Sequence, residues 1–197
     1  GPYSQIDNAG EDETYLTFFS EGRLYFSSNR ENKECNNIYF LDIKTIKHET
    51  KNAKINFNEY LPLNLYFHND QPDCCTLDTI TKKNYQESYT SYFKMQNEYI
   101  NFSPDKQVEV FFKDTLSKNF HALKIILEKI LLELNQGKKL KIKIKGYASP
   151  LYNTQYNINL SKRRVNSLIN FIKEYNFGVF DRHLRSKNFI LSVEYFG

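Results

Sequence analysis

Hydrophobic and polar residues alternate one by one in three segments of the chain. The clearest is 139–145, where leucine and isoleucine alternate with lysine up to Gly146. A period of two predicts a β-strand with one buried and one solvated face. The same alternation at 63–67 and at 189–195 predicts a first and a last strand.

Two other segments repeat their hydrophobic residues every three or four positions, which is the period of an amphipathic helix. The longer one predicts a helix from about Val108 to Gln136 that stops at Gly137, with an apolar stripe of Leu116, Phe120, Leu123, Leu127, Ile130 and Leu134. The second predicts a helix with the stripe Val165, Leu168, Ile169 and Ile172. Ser161 is placed to cap this helix, which would put Arg164 in its first turn.

The pattern divides the chain into three parts. Residues 1–45 contain three short apolar runs separated by turn-forming residues, and these predict an antiparallel meander with strands at 14–19, 23–28 and 37–43. Residues 46–59 are polar and without a period, so they predict a linker. Residues 60–197 are expected to form one α/β (α+β) domain, with helices on one face of a mixed sheet and an insertion at about 74–106.

Aromatic residues are abundant, with 16 phenylalanines and 15 tyrosines in 197 residues. Together with a hydrophobic content of 40%, they predict an ordinary buried core. One aromatic stripe in the insertion has helical spacing and is expected to pack rather than to stack on sugars: Tyr85, Tyr89, Tyr92, Phe93 and Tyr99. The sequence has no long apolar run, so it predicts no membrane span.

Charge and cysteine content argue against several functions. The formal charge is +4, and much of it is the lysine face of one strand, so nucleic-acid binding is not expected. The cysteines are Cys35, Cys74 and Cys75, and an adjacent pair rarely closes a disulfide. A metal site formed by Cys74, Cys75 and His68 would lack a fourth ligand. We therefore expect free buried thiols, with no metal and no cofactor.

The segment from Lys141 to Tyr175 carries a specific set of polar residues at the joints between its elements. It contains the turn Gly146-Tyr147-Ala148-Ser149, followed by Asn157, Leu160, Ser161, Arg164 and Val165. This arrangement resembles the OmpA-like domain (the OmpA/MotB/Pal family), whose signature is a Gly-His-Thr-Asp turn and then Asn-x-x-Leu-Ser-x-x-Arg-Ala. The resemblance implies an OmpA-like βαβαβ fold over roughly 60–197 and binding of peptidoglycan.

The resemblance also assigns roles to residues. In that family the aspartate that ends the turn and the arginine of the helix hold the ammonium and the carboxylate of diaminopimelate in the peptide stem. Arg164 matches the arginine, whereas Ser149 stands in the place of the aspartate. Asp70 aligns with a family position that contacts ligand and is expected to supply the missing carboxylate. The implied ligand-binding residues are Asp70, Ala148, Ser149, Asn157, Leu160, Ser161 and Arg164.

The order of the predicted elements also favours a single site formed by these residues. Alternating strands and helices bring the carboxyl ends of strands together with the amino ends of helices. Asp70, Ser149 and Arg164 are therefore expected to converge. A helix amino terminus favours an anion, so the ligand carboxylate is expected to point at Ser161 and Arg164.

The first 45 residues carry a second resemblance. The pattern SEGRLYFSSNR followed by NNIYFLD resembles one blade of a WD-repeat-like propeller, of the kind that precedes OmpA-like domains in some envelope proteins. A single blade cannot close a propeller, because repeats bury their faces only against neighbours. This part is therefore expected to be the last blade of a longer protein, or a sheet that packs on the second domain or on a second chain.

Taken together, these patterns predict a non-catalytic, periplasmic domain that binds peptidoglycan and anchors an outer-membrane-associated protein or complex to the cell wall, with other envelope proteins as partners. The alternative is a degenerate member of the family, in which Ser149 has abolished wall binding and the fold serves protein–protein interaction. An enzyme is not expected, because Asp70, Asp73 and His68 form only a loose set near Arg164.

Overall fold

The computed structural model describes residues 13–19, 23–28, 37–42, 56–103, 105–149 and 153–197, the first three ranges as backbone only. The chain divides into two compact units, Gly1–Lys54 and Ile55–Gly197. Their boundary lies inside the predicted linker 46–59, most of which is outside the described residues.

The first unit contains a three-stranded antiparallel sheet. Its strands are β1 (Glu13–Phe19), β2 (Arg23–Ser28) and β3 (Asn37–Asp42), which pair in sequence order. The register places Arg23 opposite Asp42. Consecutive strands are therefore neighbours throughout this sheet.

The second unit is mixed α/β, which agrees with the broad fold class predicted from the sequence. Its elements in chain order are α1 (Tyr85–Lys94), α2 (Gln96–Phe102), α3 (Lys106–Val110), α4 (Lys118–Asn135), β4 (Leu140–Tyr147), α5 (Thr154–Glu174), α6 (Asp181–Arg185) and β5 (Phe189–Phe196). Within the described ranges, none of these helices is both long enough and apolar enough to cross a bilayer.

The strands β4 and β5 form a parallel pair, and both segments were predicted as strands. The register runs from Leu140 opposite Phe189 to Tyr147 opposite Phe196. Parallel neighbours need a crossover connection, which α5 and α6 provide. The pairing places Tyr147 and Phe196 side by side at the carboxyl ends of the two strands, where their rings stack with centroids 4.9 Å apart.

The core is built on one long helical segment from Lys106 to Asn135. It consists of α3, a π-helical stretch at Phe111–Ser117, and α4. All six residues of the predicted apolar stripe are buried: Leu116, Phe120, Leu123, Leu127, Ile130 and Leu134. Gly137 follows with φ +83°, a left-handed conformation typical of the residue after a helix. The prediction of this helix and its buried face is confirmed.

The predicted first strand, 63–67, is not a strand. Its leucines and Phe67 do pack against the core, as the alternation predicts. Its backbone, however, is bound by side chains, since the Tyr85 hydroxyl contacts both the N–H and the carbonyl of Tyr66 at 3.2 Å. Asn119 donates to the carbonyl of Asn64 at 2.8 Å. These contacts occupy backbone N–H and carbonyl groups that a neighbouring strand would need for pairing.

The helix α5 begins earlier than its sequence pattern predicts. It starts at Thr154, and its cap is Asn153, whose side chain accepts from the N–H groups of Gln155 and Tyr156. Ser161 therefore does not cap the helix. Its hydroxyl donates to the carbonyl of Ile158 at 2.8 Å. Without a helix-breaking residue between 154 and 160, the helix extends to the stronger asparagine cap.

Gly146 allows β4 and α5 to approach closely. A Cβ atom at this position would lie 2.5 Å from the carbonyl oxygen of Ser161 and 2.6 Å from a methyl group of Val165. Any larger residue would push the strand and the helix apart. Gly146 thus sets the distance between β4 and α5, and these two elements carry the candidate site described below.

The aromatic insertion forms two helices rather than one. The chain turns at Met95, between α1 and α2. Tyr85 is buried, and most of the stripe packs against other rings, with Tyr92 and Tyr99 beside Phe112. The expectation that these aromatic residues pack in the interior is confirmed for Tyr85, whereas Phe93 is exposed to solvent.

Candidate functional site

Arg164 projects from the third turn of α5 towards the loop that follows segment 63–67. Its Nε donates to the carbonyl of Gln71 at 3.0 Å and its Nη1 donates to the carbonyl of Tyr147 at 2.8 Å. The guanidinium lies over the ring of Phe67, 5.5 Å from its centroid. An arginine has five N–H donors, so three remain without a partner among the described residues. The side chain is fixed in place yet can still bind an anion.

Asp70 lies in that loop and has a left-handed backbone, with φ +59°. Its carboxylate is held by two neighbours. Oδ1 accepts a hydrogen bond from the hydroxyl of Tyr156, and Oδ2 accepts one from the N–H of Cys75 at 3.3 Å. Tyr156 is in the first turn of α5, so the helix that carries Arg164 also orients Asp70.

The charge of Asp70 acts on Arg164 although the two side chains do not form an ion pair. Burial lowers the pKa of the Arg164 guanidinium, and the negative charge of Asp70 opposes that shift. No ion pair joins the two side chains in the described chain, so they are separated by more than the contact distance of a salt bridge. A guanidinium stays charged even when its pKa falls. The loop and the helix therefore carry opposite charges that interact without direct contact.

Ser149 and Ala148 follow directly after β4. The Ala148 N–H donates to the carbonyl of Phe196 at 3.2 Å, which continues the pairing of the two strands. Ser149 is exposed, and no described residue hydrogen-bonds its hydroxyl. Both residues come just after Tyr147, whose carbonyl accepts from Arg164. The structure thus places the turn beside the arginine, as the sequence predicts.

Three of the predicted ligand-binding residues are buried and do not face solvent. Asn157, Leu160 and Ser161 are exposed by 5% or less. Ser161 lies where α5 packs against Gly146 of β4, and at this degree of burial none of the three lines an open surface. Because α5 begins at Thr154, Ser161 and Arg164 lie within the helix, so the prediction that Arg164 is in its first turn is wrong, and no helix terminus lies at Ser161 to attract a carboxylate.

Sequence reasoning missed the role of Arg163, the neighbour of Arg164. Arg163 is fully buried, and its guanidinium donates to three backbone carbonyls: Pro72 at 3.0 Å, Thr76 at 3.0 Å and Asp78 at 2.7 Å. A buried guanidinium needs many acceptors, and the loop backbone supplies three of them to Nε and Nη1, whereas the buried Nη2 has no hydrogen-bond partner among the described residues. Arg163 thus fixes the loop that carries Asp70.

Asparagines on the same face of α5 extend this contact. Asn159 donates to the carbonyl of Leu77 at 2.8 Å, Asn166 accepts from the N–H of Thr81 at 2.7 Å, and Asn170 donates to the carbonyl of Thr81 at 2.9 Å. With Arg163 they form a polar row, which we call the α5 ladder. Its members are three or four residues apart, and this spacing could have indicated from the sequence that they share one face of the helix.

The cysteine pair lies beside Asp70. The Sγ atoms of Cys74 and Cys75 are 3.2 Å apart. Both are free thiols, but they are exposed, so the expectation that they are buried is wrong. The thiol of Cys75 has a raised pKa because of its hydrogen bond with Cys74 and the charges nearby. His68, the third residue of the metal site considered from the sequence, instead packs its ring against Tyr92 and Tyr99.

Asp73 has a structural role. It accepts a hydrogen bond from the hydroxyl of Thr81 and pairs with Lys83 at 3.0 Å, which together hold the pKa of its carboxyl below the ordinary value. Asp70 is likewise engaged by Tyr156. The described residues therefore do not present Asp70, Asp73 and His68 as one acid–base group.

Comparisons with family models, curated proteins and solved structures found no match to this chain.

Proposed function

We propose that the second unit is a non-catalytic peptidoglycan-binding domain of the OmpA-like type, which anchors an outer-membrane-associated envelope protein to the cell wall. The ligand is the diaminopimelate side chain of the peptide stem. This residue ends in both an ammonium and a carboxylate, so it needs an anion and a cation at a fixed separation.

The observation that carries the proposal is the pairing of Arg164 with Asp70 across a gap. The guanidinium has unused donors and is held by two backbone carbonyls. The negative charge of Asp70 opposes the burial-induced fall in the pKa of the Arg164 guanidinium, although the two side chains form no ion pair. Charge-assisted hydrogen bonds at both ends would bind a zwitterion more strongly than neutral groups could. In this proposal Asp70 takes over the role of the family's turn aspartate, because Ser149 stands at that position in this chain.

The connectivity around the site also supports an OmpA-like fold. β4 leads through the turn 146–149 into α5, and β5 returns parallel to β4. Gly146 packs against the helix backbone, and Arg164 reaches back to the end of the strand. These are the elements to which the sequence signature belongs. The segment 63–67 lies where the first strand is expected in sequence, although it does not pair.

The test is calorimetric titration of the full chain with two soluble stem peptides, one containing diaminopimelate and one containing lysine. Lysine has the ammonium but lacks the second carboxylate. Arg164→Ala is expected to weaken binding of the diaminopimelate peptide by about 10- to 100-fold, which corresponds to roughly 1.5–3 kcal/mol for a charged hydrogen bond. The same substitution should change binding of the lysine peptide little.

Two further variants make this experiment specific. Arg164→Lys keeps the charge but loses the planar fork, so it should not restore full affinity. Lys162→Ala removes a positive charge from the same helix and should bind like the wild type. Equal effects of Arg164→Ala and Lys162→Ala would refute direct recognition. Circular dichroism of each variant checks that the loss is not one of folding.

The second candidate is a protein-interaction module that no longer binds the wall. Two observations favour it: Ser149 cannot supply a charge, and the Asp70 carboxylate already accepts hydrogen bonds within the protein. It predicts that the wild type gives no heat with either peptide and does not sediment with peptidoglycan sacculi. Asp70→Asn separates the candidates, because under wall binding it should weaken binding of both peptides.

We also propose that the antiparallel sheet of the first unit is a blade of a propeller-like repeat domain. Its support is the resemblance of the segment to such a blade and the sequential pairing of β1, β2 and β3. The unit would then connect the wall-binding domain to other envelope proteins in the periplasm.

A further inference from the structure

Three potential metal ligands converge in the loop that carries Asp70. The carboxylate of Asp70 and the thiols of Cys74 and Cys75 all lie within 4.8 Å of one another. The two sulfur atoms are 3.2 Å apart, and Sγ of Cys75 is 4.0 Å from Oδ2 of Asp70. All three side chains belong to one segment of six residues and are reachable from solvent or half-buried.

These separations are close to those of a tetrahedral zinc site. Bonds of about 2.3 Å to sulfur and about 2.1 Å to a carboxylate oxygen place two sulfurs about 3.8 Å apart and a sulfur and an oxygen about 3.6 Å apart. The sulfur pair is closer than this and the sulfur–oxygen pair is farther, each by roughly half an ångström. Small side-chain rotations would correct both distances.

The backbone explains how two adjacent cysteines can point to one place. Neighbouring side chains in an extended chain point in opposite directions. Cys75 instead has φ +64°, which turns its side chain towards that of Cys74. The loop is held on both sides of the pair, because Arg163 binds the carbonyls of Pro72 and Thr76.

A supporting contact orients the oxygen ligand. The Tyr156 hydroxyl donates to Oδ1 of Asp70, and the Cys75 N–H donates to Oδ2. Hydrogen bonds from such neighbours commonly fix ligating carboxylates and tune metal affinity. The cluster is therefore oriented by a residue of α5, outside the loop itself.

We propose that Asp70, Cys74 and Cys75 bind a thiophilic divalent cation, Zn²⁺ or its analogue Cd²⁺, in an open site whose fourth position is taken by water. Two thiolates select such ions over Mg²⁺ and Ca²⁺, which prefer oxygen ligands. A site with three protein ligands does not need the fourth protein ligand that the sequence analysis found missing. Asp70 takes the place that the sequence suggested for His68.

The experiment is a titration of the full chain, reduced and metal-free, with Cd²⁺. Cadmium–thiolate bonds give a charge-transfer band in the ultraviolet that directly reports sulfur coordination. We expect one equivalent to bind and Zn²⁺ to remove the band. Cys74→Ser and Cys75→Ser should each weaken binding by at least about tenfold, and Asp70→Asn should do the same.

Cys35→Ser is the matched control, because it removes the remaining cysteine and should leave the titration unchanged. A band that disappears with Cys35→Ser, or that Asp70→Asn leaves at full affinity, would overturn the proposed ligand set. Absence of the band in the fully reduced wild type would overturn the site itself. Circular dichroism of the serine variants separates loss of a ligand from loss of the fold.

Discussion

Replacing Arg163 with alanine is expected to loosen the attachment of the loop 72–83 to α5. The guanidinium makes three hydrogen bonds to backbone carbonyls, at 3.0, 3.0 and 2.7 Å. Hydrogen bonds from a charged donor contribute about 1.5–3 kcal/mol each. Roughly half of that sum is recovered, because the freed carbonyls can bind water and a buried charge is removed, which leaves a net loss of about 2–4 kcal/mol.

The other members of the α5 ladder provide a graded comparison. Asn170 donates to two carbonyls, those of Thr81 and Lys83, and Asn166 accepts one hydrogen bond from the N–H of Thr81. Neutral hydrogen bonds contribute about 1 kcal/mol each, so Asn170→Ala should cost about 1–2 kcal/mol and Asn166→Ala about 1 kcal/mol. The number of hydrogen bonds that each substitution removes therefore predicts the rank of the three variants.

Urea denaturation at neutral pH gives the free energy of unfolding of each variant, and amide hydrogen exchange locates the change. In Arg163→Ala, we expect protection to fall in 72–83 and to persist in the buried turns of α4. Lys162→Ala, which removes a neighbouring charge, serves as the control. The reasoning is refuted if Arg163→Ala is as stable as Lys162→Ala, or if exchange rises equally in α4.

Two further predictions concern packing and pH. Gly146→Ala should lower the melting temperature at a cost of about 1–3 kcal/mol, because its Cβ would lie 2.5 Å from the Ser161 carbonyl oxygen; an unchanged melting curve would contradict this close contact. The hydrogen bond from Thr81 keeps the pKa of Asp73 low, so its stabilising effect is present above about pH 4 and is lost as the pH falls further. Asp73→Asn should therefore reduce the loss of stability between neutral and acidic pH, and a wild-type pH profile would exclude this role.

The sequence predicted those elements whose hydrophobic period is regular. The stripe from Leu116 to Leu134 and the alternation at 140–144 each bury one face, so the pattern alone determines which way they pack. The start of α5 was misplaced because residues 154–160 form a helix without continuing the stripe of Val165. A cap is recognised only by its hydrogen bonds, and both Asn153 and Ser161 are suitable residue types.

The site was only partly predictable, because its polar contacts join distant parts of the chain. The sequence placed Arg164 near the turn and Asp70 near Arg164, and the electrostatic effect of one on the other agrees with that placement. It gave no sign that the Tyr85 hydroxyl would bind the backbone of Tyr66 and keep 63–67 out of the sheet. The three- or four-residue spacing of the α5 ladder indicates one shared polar face, but it does not reveal which backbone carbonyls Arg163 binds, since any residue type supplies a carbonyl.

The α5 ladder also affects the order in which the molecule can assemble. Arg163 contacts Pro72, Thr76 and Asp78 across 91, 87 and 85 residues of chain. Contacts between such distant residues form late, because the intervening chain must first be ordered. During synthesis, the loop that carries Asp70 emerges long before the helix that holds it. We therefore expect the charged pair to be completed late in folding, and a chain that ends before Thr154 to keep the sequence of the loop without its binding geometry.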